Sequence, residues 1–556
     1  MKRARSTPSG GIRDVAGSQE TFWARIALHP RNFVPGAPIL PKPEDARPTR
    51  HAKPALARSR RGSHVETSRI LFQAAEEQIM SEGVEFVLIY PPANIDMYTG
   101  AAAIPLGGLY LADALLKQGF SVAILDDSTE YTRSRLRHLV GRRTIAIGVS
   151  TLSGVQLRNA LSLANNIRRD YPGIPIIWGG SHVTAVPQQT LASDLVDYIV
   201  WGEGEVPLPQ LLSSIRRGGG GLADVSGIGY KTNGRHYLNP TRGYTALNDP
   251  FHLPYYLLDM ERYAKKLSIG LQRCFSVFSS RGCPFHCRFC SNPSSTWSNR
   301  RMRYHPVEHI LGDISVLVEQ YRADGITFGD ENFFVHEKRV AEICEALIAA
   351  RFGVVFRAAG RADLLSRLRE STWRLLKDAG FVGIAVGVES GSQRMLDIMG
   401  KGTTLAQIRR TDELLTDYGF YKTYNFLTCV PGEDVDDVKA TLKLIVELAR
   451  TSHISPYPFG TLHKYIPLPG TELYDVAIQH GLVPPTSVDG WASFDFVDFM
   501  EASRLVRPWL GGHMLRFVNR ANELIEDLNG SFIGYELDKH EVSRKIAAIE
   551  QFAGSV

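Results

Sequence analysis

The sequence predicts an α/β protein: an N-terminal doubly wound (Rossmann-like) sheet, then a partial parallel (β/α)6 barrel, then a helical C-terminal cap. Three observations predict this class. Short apolar strands alternate with helices from residue 81 to 215, the alternation resumes at Phe275 with six further strands, and only helical patterns follow residue 480. The predicted divisions are a disordered basic tail (1–80), the first domain (81–235), a linker (236–270), the barrel (271–480) and the helical region (481–556).

The N-terminal segment carries the basic charge of the chain. Residues 1–61 contain 13 Lys or Arg and only 4 Asp or Glu, whereas the net charge of all 556 residues is +5. The rest of the chain is therefore net acidic, and no nucleic-acid partner is expected. Richness in Pro, Arg and Ala over 35–61 predicts disorder, although such a start also resembles an organelle transit peptide, and Met80 is an alternative first residue.

Export and membrane insertion are not expected. No apolar core follows the basic N-terminus, as a signal peptide would need, and no apolar stretch is long enough to cross a bilayer. We therefore expect a cytoplasmic protein.

Five apolar strands build the predicted first domain. A doubly wound sheet binds its ligand beyond the carboxyl ends of its strands, so the loops that follow the strands are the candidate binding segments. The glycine run 218–221 has no strand–turn–helix context and is not interpreted as a phosphate loop. A short β-hairpin is expected over 230–237. The predicted strands are Val84–Tyr90, Ser121–Leu125, Ile145–Ser150, Pro175–Trp178 and Val196–Val200.

The predicted barrel places its reactive groups at the C-terminal ends of its strands. Helical patterns separate the strands, as in 307–321, 338–350 and 435–449. The predicted strands are Phe275–Ser279, Gly325–Gly329, Val354–Ala358, Val382–Val388, Lys422–Cys429 and Thr461–Ile466.

Three of the six cysteines lie within eight residues, directly after the first barrel strand: Cys283, Cys287 and Cys290. In a chain without an export signal this clustering indicates a metal site rather than disulfides. Three thiolates at this spacing can bind three irons of a [4Fe–4S] cluster, which leaves the fourth iron open to a small molecule with an amino and a carboxylate group. The remaining cysteines are expected to be core residues.

Structural zinc, with His286 as the fourth ligand, is the alternative to a cluster. Zinc sites of this type pair two well-separated knuckles, but the chain has no second CxxC, and His286 directly precedes Cys287. The iron–sulfur interpretation is therefore favoured.

This segment resembles the radical S-adenosylmethionine superfamily, whose hallmark is the same three-cysteine spacing with an aromatic residue, here Phe289, before the last cysteine. The resemblance implies that Asp330 and Glu331 receive the amino group of S-adenosylmethionine. It further implies that Glu389 and Ser390 meet its ribose and methionine, and that Arg361 pairs with the methionine carboxylate. The matching segments after the barrel strands are Gly329-Asp330-Glu331-Asn332-Phe333, Gly387-Val388-Glu389-Ser390-Gly391, Val430-Pro431-Gly432-Glu433 and Pro467-Leu468-Pro469-Gly470-Thr471.

The first domain resembles the corresponding domain of the cobalamin-dependent radical S-adenosylmethionine enzymes. One signature of cobalamin binding, D-x-H-x-x-G, is absent: its expected place is 126–131, where Ser128 replaces the histidine. The resemblance implies cobalamin bound without a lower axial histidine, between this domain and the barrel. The residues implied in cobalamin binding are Pro105, Leu106, Gly107, Ser150, Thr151, Leu152, Gly179, Gly180, His182, Gly202, Glu203 and Gly204.

Together these resemblances imply a C-methyltransferase that uses a 5′-deoxyadenosyl radical and methylcobalamin. The expected substrate is a small biosynthetic molecule of natural-product type, as in antibiotic biosynthesis, and the expected electron donor is a flavodoxin or ferredoxin. A radical cyclase or rearrangement enzyme is one alternative. A non-catalytic cobalamin-binding sensor or carrier is another, against which the cysteine triad argues. The candidate substrate residues are Tyr457, His463, Tyr465 and Trp491.

Overall fold

The computed structural model describes residues 82–92, 104–248, 252–265, 271–291, 301–452, 459–494, 506–532 and 538–555. The predicted basic tail, 1–80, lies outside these ranges. No helix in the described parts of the chain is long and apolar enough to cross a membrane.

The first domain is a seven-stranded sheet with the order β2-β1-β3-β4-β5-β6-β7. Strands β1 to β5 are parallel, and their apolar residues are buried because helices cover both faces. The predicted hairpin is present as β6 and β7, which extend the sheet in antiparallel fashion. The strands are β1 (Phe86–Ile89), β2 (Val122–Leu125), β3 (Ala146–Ser150), β4 (Ile176–Gly179), β5 (Tyr198–Val200), β6 (Ile228–Thr232) and β7 (Arg235–Leu238).

The helices of this domain include one that the sequence analysis did not predict. Helix α2 begins directly after Ser128, whose Oγ accepts a hydrogen bond from the backbone N–H of Tyr131 at 3.2 Å. Serine at this position satisfies an amide that the helix itself leaves unpaired. The helices are α1 (Leu106–Lys117), α2 (Thr129–Leu139), α3 (Val155–Asp170), α4 (Ser181–Ala185), α5 (Pro187–Ala192) and α6 (Pro207–Arg216).

The second domain is a six-stranded, entirely parallel sheet with the order β15-β14-β13-β12-β11-β8, which confirms the predicted partial barrel. A two-stranded hairpin, β9 and β10, follows its first strand. The strands are β8 (Cys274–Val277), β9 (Ser280–Arg281), β10 (Arg303–Tyr304), β11 (Gly325–Phe328), β12 (Val355–Arg361), β13 (Phe381–Glu389), β14 (Tyr421–Thr428) and β15 (Phe459–Lys464).

Helices cover the outer face of the barrel sheet, and two long helices follow at the C-terminus. The barrel helices are α7 (Val307–Glu319), α8 (Glu337–Ala350), α9 (Ala362–Leu365), α10 (Glu370–Asp378), α11 (Gln393–Ile398), α12 (Leu405–Asp417), α13 (Val435–Arg450) and α14 (Glu472–Gln479). The C-terminal helices are α15 (Gly512–Gly530) and α16 (Lys539–Gly554).

The inner face of the barrel is less tightly packed than its outer face. Buried and half-buried side chains alternate along β14, and along β13 from Ile384 onward. The half-buried set includes Ala385, Thr423 and Asn425, which are small or uncharged, and also Glu389. A closed eight-stranded barrel fills its interior with bulky side chains. This partial barrel instead carries half-buried side chains along the face that encloses its lumen.

Candidate active site

The three clustered cysteines lie in the loop after β9, at the C-terminal end of the first barrel strand. Cys283, Cys287 and Cys290 are each half-buried, and none forms a disulfide. The backbone N–H of Cys290 donates to the carbonyl of Cys287 at 3.0 Å, which folds the CxxC segment into a turn. Burial, together with the neighbouring Cys287, raises the pKa of the Cys283 thiol, so a metal partner is needed to hold it as a thiolate.

The arrangement of these thiols fits a cluster better than a single ion. Among the residues that the structure describes, no three His, Cys, Asp or Glu side chains converge on one metal position. A zinc site would require such convergence. In a four-iron cube each thiolate binds a different iron, so three sulfurs are spaced around one face. The donor set of three accessible thiols on one tight loop therefore fits [4Fe–4S].

Asp330 is bonded to groups of the protein itself. Its buried carboxylate accepts hydrogen bonds from the backbone N–H and Oγ of Ser279, at 3.1 and 2.7 Å, and from the Oγ of Ser280. These bonds fix the strand end that leads into the cysteine loop, and they leave the carboxylate little capacity for an ammonium group. The neighbouring Glu331 is exposed, so it is the carboxylate of this motif that remains accessible to a ligand.

Glu389 ends β13 in a left-handed backbone conformation, with φ of 68°. Its carboxylate forms an ion pair with the ammonium group of Lys401 at 2.7 Å, and both side chains are largely buried. Sequence analysis missed Lys401, although a lysine between two glycines with positive φ, Gly400 and Gly402, is a recognisable loop signal. The predicted contact of Glu389 with a ribose therefore involves a carboxylate that is already paired with a cation.

Ser390 and Arg361 also have partners within the protein. The Oγ of Ser390 is buried, lies 3.2 Å from the Oγ1 of Thr441, and accepts from the backbone N–H of Ser392 at 3.1 Å. The Nη1 of Arg361 donates to the sulfur of Cys287 at 3.1 Å. The contacts with S-adenosylmethionine that the sequence predicts for these two residues remain predictions.

A cleft with a volume of about 230 Å³ opens at the carboxyl ends of the first sheet. Its inner part is apolar, with Leu88, Trp178 and Leu208, and its mouth carries the charged pair Glu205 and Arg281. Seven of the predicted cobalamin residues line it: Gly107, Ser150, Gly179, Gly180, Gly202, Glu203 and Gly204.

The glycines of the cleft make it suitable for a large flat ligand. A Cβ on Gly179 would project from the wall, with the carbonyl oxygen of Val200 as its nearest neighbour at 3.4 Å. Gly180 has φ of 98°, and a Cβ there would lie 2.6 Å from the carbonyl oxygen of Thr151. Side chains at these positions would narrow the cleft or displace its wall, so the residues present fit a corrin macrocycle and its nucleotide tail.

Five predicted cobalamin residues do not line the cleft: Pro105, Leu106, Thr151, Leu152 and His182. His182 is buried instead beneath Trp491, with its Nδ1 3.0 Å from the Oγ of Ser153. Burial lowers the pKa of His182 to about 4, so the ring is neutral. The predicted contact between this histidine and the nucleotide tail therefore finds no support in its position.

The segment 126–131, where the absent D-x-H-x-x-G signature was expected, lies away from the cleft. It follows β2, which is the edge strand, and none of its residues lines the cleft. Asp126 forms an ion pair with Arg262 at 3.2 Å, and Ser128 caps helix α2. A ligand of a doubly wound sheet lies where the strand order reverses, between β1 and β3. Tyr90, directly after β1, does line the cleft.

The predicted substrate residues are dispersed. Tyr465 and Trp491 are buried in the core, and His463 is exposed at the end of β15. Tyr457 lies outside the described residues. The backbone carbonyl of Trp491 accepts from the N–H of Gly154 at 3.0 Å, so Trp491 joins the C-terminal region to the first domain.

Two ion pairs join the cleft to the cysteine loop. Arg281 of β9 donates to the carboxylate of Glu205 at 2.5 Å, and Arg303 of β10 donates to Glu203 at 2.8 Å. Arg281 lines the cleft and lies two residues before Cys283. Sequence analysis missed both arginines, because only the fold brings them to the acidic loop after β5.

The structure joins a cysteine loop at the strand ends of a partial barrel to a glycine-lined cleft on a doubly wound sheet. This combination defines a radical S-adenosylmethionine enzyme with a corrinoid-binding domain. The sequence profiles of the radical SAM superfamily and of the B12 binding domain match residues 277–445 and 99–212. The chain therefore combines a radical SAM domain with a B12 binding domain, and in this it is similar to the cobalamin-dependent radical S-adenosylmethionine enzymes. Its cofactors are a [4Fe–4S] cluster, S-adenosylmethionine and cobalamin.

Relatives with similar sequences carry several activities. An uncharacterised methyltransferase of Pyrococcus horikoshii is 27% identical over 80% of this chain and 95% of its own length. The anaerobic magnesium-protoporphyrin IX monomethyl ester cyclase of Rubrivivax gelatinosus is 25% identical, covering 84% and 79% of the two chains. The hopanoid C-3 methylase of Methylococcus capsulatus is 27% identical, covering 74% and 80%.

Two solved structures show the same fold. The radical S-adenosylmethionine methyltransferase TsrM from Kitasatospora setae, with cobalamin and a [4Fe–4S] cluster bound, superimposes with a TM-score of 0.57 at 17% identity, covering 84% of this chain and 99% of TsrM. The cobalamin-dependent radical enzyme OxsB gives a TM-score of 0.54 at 20% identity, covering 70% and 55%.

Proposed function

We propose that this protein methylates a carbon atom of a small biosynthetic substrate of natural-product type. The observation that carries the proposal is the position of Arg281, which lines the cobalamin cleft and lies two residues before the first cluster cysteine. When bound, the cluster and S-adenosylmethionine supply a 5′-deoxyadenosyl radical that removes hydrogen from carbon, and cobalamin supplies the methyl group.

The residues of the chain hold the two cofactor sites next to each other. The Arg281–Glu205 and Arg303–Glu203 pairs fix the β9–β10 hairpin against the cleft. The side chains of all four residues are between 11 and 17% exposed, so these charges are screened less by solvent than surface pairs are. A rigid junction of this kind supports methylation, since a substrate carbon must reach both cofactors.

The lumen of the barrel supports a small substrate. Its wall includes the half-buried Ala385, Thr423 and Asn425, which are small or uncharged, beside the ion pair of Glu389 and Lys401. Enclosure by the sheet excludes bulk water, which protects a reactive carbon radical from side reactions.

Labelled S-adenosylmethionine tests the proposal without knowledge of the substrate. The anaerobically reconstituted holoenzyme, with hydroxocobalamin and a strong reductant, is given S-adenosylmethionine that carries a deuterated methyl group. Methyl transfer predicts deuterated methylcobalamin in the absence of any substrate, as well as 5′-deoxyadenosine. Formation of 5′-deoxyadenosine without labelled methylcobalamin would overturn the proposal and favour the cyclase or rearrangement reaction. Corrin binding with neither product would favour a sensor or carrier.

A further inference from the structure

Arg361, at the end of β12, is held by the protein through almost all of its hydrogen-bonding capacity. Nε donates to Oδ1 of Asp363 at 2.9 Å, and Nη2 donates to the carbonyl of Lys401 and lies 3.5 Å from Oγ1 of Thr403. Nη1 donates to the sulfur of Cys287 at 3.1 Å. A guanidinium group has five N–H donors, so a single one remains. A fork-like, two-bond contact with a methionine carboxylate is therefore not available to it.

The cysteine loop contacts Arg361 at a second point. The guanidinium carbon lies 3.9 Å from the ring centroid of Phe285, which stands between Cys283 and Cys287. Arg361 itself is only 7% exposed, and its counter-ion Asp363 is buried with it. A cation over an aromatic face in a desolvated setting is attracted to the ring, so Arg361 holds both the Phe285 ring of the loop and one of its sulfurs.

The segment that follows α11 completes the support of this loop. The backbone N–H of Arg288 donates to the carbonyl of Met399 at 2.9 Å, and its Nη1 donates to the carbonyl of Ile398 at 2.9 Å. The same segment supplies the Lys401 carbonyl to Arg361. The loop is thus anchored to the barrel from two sides, and the contact between Arg361 and Cys287 is geometrically fixed rather than incidental.

We propose that Arg361 is a positioning residue for the iron–sulfur cluster, which acts through Cys287 and does not bind the methionine carboxylate. A charge-assisted hydrogen bond to a ligating sulfur stabilises negative charge on it. The reduced cluster carries one more electron than the oxidised cluster, so the bond stabilises the reduced form more and raises the reduction potential. Arg361 thereby makes delivery of the single electron by an external reductant easier.

The test measures the cluster in the absence of S-adenosylmethionine. Arg361→Gln and Arg361→Lys are compared with the parent holoenzyme by potentiometric titration, followed by electron paramagnetic resonance. Arg374→Gln is the matched control, since it removes an exposed arginine of the same domain, which forms an ion pair with Glu370 on α10. At a fixed potential, Arg361→Gln is expected to lower the ratio of reduced to oxidised cluster about tenfold, equivalent to about 59 mV for one electron. Arg361→Lys should show a smaller change, and Arg374→Gln almost none.

The outcomes separate the two roles of Arg361. The proposal would be overturned if both Arg361 variants kept their full iron content and an unchanged reduced fraction, but bound S-adenosylmethionine much more weakly. Arg361 would then be assigned to binding of the methionine carboxylate. If either Arg361 variant binds hydroxocobalamin normally but loses its iron, while Arg374→Gln retains it, the contact with Cys287 is required to hold the cluster, as proposed.

Discussion

The side-chain amide of Asn529 pairs with the backbone of Phe459 as a neighbouring strand would. Its Nδ2 donates to the carbonyl of Phe459 at 2.6 Å, and its Oδ1 accepts from the N–H of the same residue at 3.1 Å. Asn522, two turns earlier on α15, makes the same two bonds with Leu462, at 3.3 and 2.7 Å. Strand β15 is the open edge of the barrel sheet, so the helix covers an edge that could otherwise pair with another chain.

Replacing Asn529 with leucine should therefore destabilise the barrel. Asn529 is 2% exposed, so the N–H and carbonyl of Phe459 would lose their partner without gaining water, at a cost of about 2–4 kcal/mol. Urea denaturation should show this loss, and hydrogen exchange at the Phe459 amide should accelerate. The exposed Glu526 of the same helix provides the control, since Glu526→Gln should change stability by less than about 0.5 kcal/mol.

Serine in place of Cys287 should impair the cluster site and leave the cobalamin site intact. A hydroxyl does not ligate iron as a thiolate does, so iron content and 5′-deoxyadenosine formation should each fall at least about tenfold. The cobalamin cleft lies on the other sheet and contains no cysteine among its lining residues, so hydroxocobalamin binding should be retained. The same substitution at Cys344, which is buried on α8, is the control and should leave iron content unchanged. Normal iron content in the Cys287 variant would contradict the assignment of the cluster.

The sequence predicted the features that depend on short-range pattern. Strand periodicity defined both sheets, and the spacing of the cysteines defined the cluster loop. It could not predict where side chains point. Asp330 and Glu331 are adjacent, yet Asp330 is buried and accepts hydrogen bonds from two serines, whereas Glu331 is exposed. It also could not predict partners that are distant in the sequence, such as Arg303 for Glu203. Nor could it predict that segment 126–131 lies away from the cleft, because strand order, which makes β2 the edge strand, is not a local property.

Alanine at Gly180 should weaken cobalamin binding. The backbone there has φ of 98°, and the added Cβ would lie 2.6 Å from the carbonyl oxygen of Thr151, so the wall of the cleft must shift. Strain of about 1–3 kcal/mol corresponds to roughly 5–150-fold weaker binding of hydroxocobalamin, measured by absorbance titration. Gly220→Ala is the matched control, since nothing lies within 4 Å of a Cβ at that position. Equal affinities of the two variants would show that Gly180 does not shape the cleft.

Glu433 should make the stability of the barrel depend on pH. Burial raises the pKa of this carboxyl from an ordinary value of 4.5 to about 8, although the hydrogen bonds that it accepts from Thr428 and Cys429 lower the pKa. Between these two pKa values the folded state binds more protons than the unfolded state. The contribution of Glu433 to the free energy of unfolding therefore falls as pH rises, and it becomes constant above the pKa of the folded state. Glu433→Gln keeps the shape of the side chain, but the glutamine amide cannot ionise. Its stability relative to the parent should therefore increase by at least about 1 kcal/mol between pH 5 and pH 8, measured by urea denaturation. The exposed Glu413→Gln should show no such trend.

The Glu203–Arg303 pair should couple cobalamin binding to the hairpin before the cluster loop. Glu203 lines the cleft, and Arg303, on β10, donates to it at 2.8 Å. Removing one partner leaves the other charge largely buried and unpaired, so Arg303→Met and Glu203→Gln should each weaken hydroxocobalamin binding. In the double variant neither charge remains unpaired, and affinity should be partly restored, with a coupling energy of at least about 1 kcal/mol, or roughly fivefold in affinity. The exposed pair Arg410–Glu413 should give a coupling near zero in the same cycle. Strict additivity of the Glu203 and Arg303 substitutions would show that the two sites are held together by other contacts.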